Sequence, residues 1–91
     1  MLRITARATG RVQGVGYRYF VLDCARQIGV VGFVRNMPDG SVAIVAEGSG
    51  EALGRFAGLA RAEGDPVIRV DALDITRGEP TGEFAGFEVR F

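Results

Sequence analysis

Hydrophobic and polar residues alternate along the first stretch of the chain. Leu2, Ile4, Ala6 and Ala8 interleave with Arg3, Thr5, Arg7 and Thr9, and a period of two predicts a half-buried strand. A glycine-rich bend follows over residues 10–16. The period then lengthens. Phe20, Val21, Cys24, Ala25 and Ile28 fall on one helical stripe, with Arg18, Asp23, Arg26 and Gln27 largely off it. Gly29 predicts a left-handed end to that helix. Residues 30–36 are rich in β-branched and aromatic side chains, which predicts a second strand. Met37-Pro38-Asp39-Gly40 is a turn signal: proline presets the second position, and Asp-Gly tolerates positive φ. Residues 41–47 alternate again, with Val42, Ile44 and Ala46 on one face, so the segment reads as a β-hairpin.

A second helix is predicted after Ser49, a candidate cap, with Glu51 near its positive end. Leu53, Phe56, Ala57 and Ala60 lie at i, i+3, i+4 and i+7, and Gly64 and Pro66 close the helix. Residues 67–75 predict a fourth strand, with a bulge near Ala72 where the alternation slips. Residues 78–82 read as a loop. Phe87, Val89 and Phe91 alternate with Glu88 and Arg90, which predicts a short final strand. The order is β-α-β-β-α-β plus a terminal strand. It implies an α+β, ferredoxin-like sandwich: an antiparallel sheet with two helices on one face. No repeat, linker or low-complexity segment interrupts the 91 residues, so one domain over 1–91 is expected. Leu, Ile, Val and Phe number 27, enough for a core without disulfide or metal staples.

Composition narrows the chemistry. All 11 basic residues are Arg, and they balance 11 acidic ones; Lys, His and Trp are absent and there is one Cys. A Schiff-base or Walker-type lysine, a histidine base and a histidine-ligated metal are therefore ruled out. One cysteine also rules out an intramolecular disulfide and a cysteine-cluster zinc site. Zero net charge argues against a nucleic-acid partner held by phosphate neutralisation. No signal-peptide pattern opens the chain, and its longest apolar run, residues 30–34, is too short to cross a bilayer. A cytoplasmic monomer without a membrane partner is expected.

The first strand-to-helix junction is the informative place. Glycines at 10, 14 and 16 let the backbone bend tightly and approach a ligand. Successive amides there can form an anion-binding nest, backed by the positive end of the helix. Arg18, in the first helical turn, would offer a bidentate fork to a phosphate. Two blander readings remain open: a plain glycine turn, and a solvated helix arginine. A dinucleotide loop fails because position 19 is Tyr19, and a Walker loop fails for want of lysine. Asn36, the only asparagine, ends the second strand. It reads either as a turn former or as a neutral amide that holds a water or an oxyanion. Strands 1 and 2 are expected to run in opposite directions, with the start of helix 1 and the end of strand 2 sharing one end of the sheet. Gly32-Phe33-Val34 faintly echoes an RNA-recognition strand, but its stacking aromatics are missing. Cys24 reads as a core residue.

Gly10-Arg11-Val12-Gln13-Gly14-Val15-Gly16-Tyr17-Arg18, followed by Gly32-Phe33-Val34-Arg35-Asn36 and the Asp39-Gly40 turn, resembles the acylphosphatase family. The first stretch matches that family's G-x-V-Q-G-V-x-[FY]-R pattern throughout, and the second its G-[FW]-V-x-N pattern. The resemblance implies a small, cofactor-free and metal-free hydrolase that splits the carboxyl–phosphate bond of acylphosphates such as acetyl phosphate or 1,3-bisphosphoglycerate. It implies that Arg18 binds the phosphate, that Asn36 orients water, and that the amides of Gln13, Gly14, Val15, Gly16 and Tyr17 form the cradle. Tyr17 stands where Phe is commoner and Phe33 where Trp is often seen. Met37 follows the asparagine where some members carry Thr. The alternative is a non-catalytic module of the same fold that binds phosphate or carbamoyl phosphate; a regulatory domain that dimerises through a sheet edge is a further one.

Overall fold

In the computed structural model, which describes residues 1–91, the alternating first stretch forms β1 (Leu2–Arg11) and the bend leads into α1 (Tyr17–Ile28). The hairpin is β2 (Val31–Asn36) and β3 (Val42–Gly48). It is followed by α2 (Gly50–Ala60), β4 (Arg69–Gly78) and β5 (Phe87–Arg90). Ser49 caps α2 by accepting from the Ala52 amide at 3.1 Å, and Gly29 ends α1 in the left-handed conformation. No helix is long and apolar enough to cross a membrane.

The five strands lie in the order β4-β1-β3-β2-β5. Strand β3 pairs antiparallel with both β1 and β2, so β1 and β2 run parallel to each other, not opposed as expected. The physical reason is the α1 crossover: it returns the chain in the same direction and leaves a gap into which β3 inserts. That shared direction brings the end of β2 to the same sheet end as the start of α1. The terminal strand β5 pairs parallel with β2, Arg35 opposite Arg90, so the sheet is mixed. On the far edge, Thr9 pairs with Ala72 and Gly10 with Val70. Asp71 is the extra residue, and the bulge falls beside Ala72.

Alternation decides which side of the sheet is buried. Ile4, Ala6 and Ala8 of β1 and Val42, Ile44 and Ala46 of β3 face the helices and join one core with Val21, Cys24, Ala25, Leu53 and Phe56. Phe56 meets Phe87 of β5 at a ring-centroid separation of 5.8 Å. A large side chain buried this way contributes about 1.5–3 kcal/mol. Phe20 and Ile28 of the expected helical stripe lie only at the margin of this core. Tyr17, four residues before Val21, is buried in their stead and donates its hydroxyl to the Ala60 carbonyl at 2.6 Å. It thereby satisfies an orphan carbonyl at the end of α2 and clamps the two helices together.

The opposite side of the sheet carries a buried acid. The carboxylate of Glu47 on β3 accepts from the Thr81 amide at 2.8 Å, from the Gly82 amide at 3.1 Å and from Arg3 at 3.2 Å. These bonds pin residues 79–86 as they pass from β4 on one edge to β5 on the other. Phe84 packs on Phe33 along the way. The amides of Thr81 and Gly82, with Arg3, hold the Glu47 carboxyl below the usual range against the opposing effect of desolvation.

Candidate active site

Between β1 and α1 the chain turns through residues 12–16. Gly14 (φ 75°) and Gly16 (φ 81°) both adopt left-handed backbone, a conformation that costs an L-residue roughly 1–2 kcal/mol. Gly16 is the N-cap of α1, which has no side-chain cap and no acidic residue in its first turn. No main-chain N–H from Gln13 to Tyr19 donates to a protein acceptor. The helix start therefore presents a set of free donors and an uncompensated positive dipole end, the conditions under which an anion binds.

A cleft of about 130 Å³ opens there, lined by Val12, Gly14, Gly16, Tyr17, Arg18, Tyr19 and Asn36. Arg18 and Asn36, eighteen positions apart, thus line the same small space, together with three residues of the expected cradle. Gln13 and Val15 do not line it. Val15 packs against the core. The Gln13 side chain turns away and donates Nε2 to the carbonyls of Met37 and Ser41, each at 2.8 Å. It ties the glycine loop to the turn that follows Asn36. That turn is itself rigid: Asp39 accepts from the Ser41 amide at 2.9 Å and from Arg7 at 2.6 Å. The Ser41 hydroxyl and Arg7 hold the Asp39 carboxyl far below the ordinary carboxylate range.

Asn36 lines the cleft, and its Oδ1 is buried and takes no hydrogen bond from the protein. An orphaned acceptor of this kind costs about 1–3 kcal/mol, and such groups concentrate where function needs them. Arg18 is held from behind. Its Nη1 donates to the Arg90 carbonyl at 3.2 Å, and its guanidinium lies 4.6 Å from the centroid of the Phe91 ring. Sequence reading missed this support and missed Tyr19 as a wall of the cleft. The alternation of residues 87–91 signals a strand but not its partner. Burial pushes the thiol of Cys24 and the hydroxyl of Tyr17 up, so neither is a nucleophile or acid near neutrality.

A larger cavity, about 200 Å³, lies between β1, β4 and α2 and is lined chiefly by Leu2, Ile4, Leu53, Ala57 and Ile75 with Arg77. Arg3 and Gly50 also line it, but Arg3 donates to Glu47, and the start of α2 is capped by Ser49 and carries Glu51. The smaller cleft has an uncapped helix start beside Arg18 and Asn36, and chemistry at an anion depends on donors more than on volume.

The chain is similar to known proteins over nearly its whole length. The family model described as acylphosphatase matches residues 4–89. The acylphosphatase of Anaeromyxobacter dehalogenans is 42% identical over 91 residues, covering 98% of this chain and 97% of that one. That of Deinococcus radiodurans is 46% identical over 81 residues, 89% of this chain and 92% of that one. The crystal structure of acylphosphatase from Bacillus subtilis superposes with a TM-score of 0.93 at 35% identity, covering all of both chains. With the family's motifs on one cleft and its fold around them from end to end, the chain belongs to the acylphosphatase family.

Proposed function

We infer that the acylphosphate hydrolysis performed by this enzyme takes place in the cleft between Arg18 and Asn36. The observation that carries this reading is that Arg18, Asn36 and the start of a helix with free amides all line one small cleft. Arg18 and those amides of the loop from Gln13 to Tyr17 that face the cleft grip the phosphoryl oxygens. Asn36, uncharged and able both to donate and to accept, holds the attacking water. A simple phosphate receptor would use the first set and has no need of the second.

The reaction asks little else of the protein. The water oxygen bonds to phosphorus as the bond from phosphorus to the acyl oxygen breaks, and the electron pair leaves on a carboxylate. The water proton passes to a non-bridging phosphoryl oxygen, and the products are a carboxylate and inorganic phosphate. Phosphoryl transfer has a loose transition state with charge spread over its equatorial oxygens, so positioning and electrostatic stabilisation supply most of the acceleration. No metal enters these steps. The same reading has residues 1–91 acting as one domain and as a cytoplasmic monomer on a small-molecule acylphosphate. A single cysteine suits a reducing compartment, and zero net charge argues against a nucleic-acid partner.

Inorganic phosphate, the product, tests the location directly. Titrated into isotopically labelled protein, it should shift the amide resonances of residues 13–19 and the Asn36 side chain. Shifts confined to the apolar cavity beside β4 would move the site elsewhere.

A further inference from the structure

The chain has eight aromatic residues, two Tyr and six Phe. Only Tyr19 and Phe91 are exposed, and both border Arg18. Phe91 is taken up by the guanidinium lying over its ring. Tyr17 is taken up by the core and by its bond to the Ala60 carbonyl. The Tyr19 side chain makes no hydrogen bond within the protein and stacks on no other ring. It lines the cleft with 53% of its surface exposed. A solvent-facing position in the first turn of a helix is ordinarily filled by a polar or straight-chain residue. A half-wet aromatic ring on the wall of a binding cleft is instead the kind of surface that small ligands use for apolar contact.

Charge points the same way. Arg18 is the only charged residue among the seven that line the cleft. Once the phosphoryl group occupies it, no second cation lines the cleft to receive an anionic acyl group. Asn36 comes from the end of the sheet and Tyr19 from the helix, so water and ring are supplied by different walls. In-line displacement requires such a separation, since the acyl oxygen departs opposite the entering water.

We propose that Tyr19 is the acyl subsite: a platform that favours acylphosphates with an uncharged aryl or extended apolar acyl group. The proposal rests on the phosphoryl group sitting on Arg18 and the glycine loop. It makes Tyr19 a specificity-determining residue that contributes more to binding the acyl group than to activating water.

The experiment compares KM for benzoyl, acetyl and succinyl phosphate in the full chain, the Tyr19→Ala variant and the Tyr19→Phe variant. Inhibition by inorganic phosphate is measured alongside. Wild type should bind benzoyl phosphate best and succinyl phosphate worst. Tyr19→Ala should raise the benzoyl-to-acetyl KM ratio roughly three- to tenfold, the range of an aromatic contact. The phosphate inhibition constant should stay put, and Tyr19→Phe should restore the wild-type ratio. An unchanged ratio in Tyr19→Ala, or succinyl phosphate binding better than acetyl phosphate, overturns the subsite. Failure of the underlying placement looks different: phosphate inhibition would then survive Arg18→Ala, whatever the acyl ratios show.

Discussion

The guanidinium of Arg18 rests on the ring of Phe91, 4.6 Å from its centroid. Seventy-three positions separate them in sequence. They meet because β5 runs parallel to β2 and carries residues 90 and 91 toward the sheet end where α1 begins. The contact, with the Arg90 carbonyl beside it, orients a flexible side chain before any ligand arrives, which is how preorganisation raises affinity. An exposed cation–π contact is worth about 0.5–1 kcal/mol. Phe91→Ala is therefore expected to weaken competitive inhibition by phosphate roughly two- to fivefold, with the fold stability nearly intact. Unaltered inhibition would show that the ring does not steer Arg18.

Removing the guanidinium itself has a larger effect. Loss of one preorganised donor to developing charge costs about 2.7–4 kcal/mol, or roughly 10²–10³ in rate. Arg18→Ala should lose at least that in benzoyl phosphate turnover and lose phosphate inhibition with it. Asn36→Ala should lose turnover while phosphate inhibits nearly as before, because the carboxamide serves the water. Two variants that both hydrolysed benzoyl phosphate at wild-type rates would leave the cleft without a role.

Gln13 joins the two halves of the site without lining it. Its Nε2 donates to the Met37 and Ser41 carbonyls, and each such bond contributes about 0.5–1.5 kcal/mol. Gln13→Ala should lower the stability by about 1–3 kcal/mol in urea unfolding. It should also reduce kcat more than it raises the phosphate inhibition constant, because the turn beside Asn36 is released. Gln13→Glu should be worse, since it sets a carboxylate against two carbonyl oxygens. Equal effects on kcat and on phosphate inhibition would point to general loosening.

Acid should act in part on the far side of the sheet. The Glu47 carboxyl is held below its ordinary value by the amides of Thr81 and Gly82 and by Arg3. A depressed folded-state value means stability that is fully present above the unfolded carboxyl pKa, about 4.3, and lost as pH falls through the folded one. The thermal midpoint should thus fall as the medium is acidified below about pH 4.3, and Glu47→Gln should flatten part of that fall. Asp39 and Asp65, also depressed, supply the remainder. A Glu47→Gln midpoint that tracks wild type at every pH would remove Glu47 from the account.

Turnover near neutrality should be flat. The chain has no histidine, and burial pushes Cys24 and Tyr17 upward, away from pH 7. With no protein base in the mechanism, kcat for benzoyl phosphate between pH 6 and pH 8, roughly the window in which histidine titrates, should show no inflection. A bell-shaped profile there would require a titrating group that the cleft lacks.

Local chemistry was legible along the chain. The glycine loop, Arg18, Asn36, the Pro38-Asp39-Gly40 turn and the Ser49 cap are short-range patterns, each set by the backbone freedom or hydrogen-bonding habit of a few neighbouring residues. Even the bulge beside Ala72 showed as a slip in alternation. The direction of β1 relative to β2, the parallel pairing of β5, the burial of Tyr17 and the carboxylate of Glu47 beneath residues 79–86 were not legible. Alternation tells which face of a strand is buried, but is the same whichever strand lies alongside and whichever way it runs. Partner choice is a long-range packing outcome, and here it decided which surface supports Arg18 and which strand end brings Asn36 to the cleft.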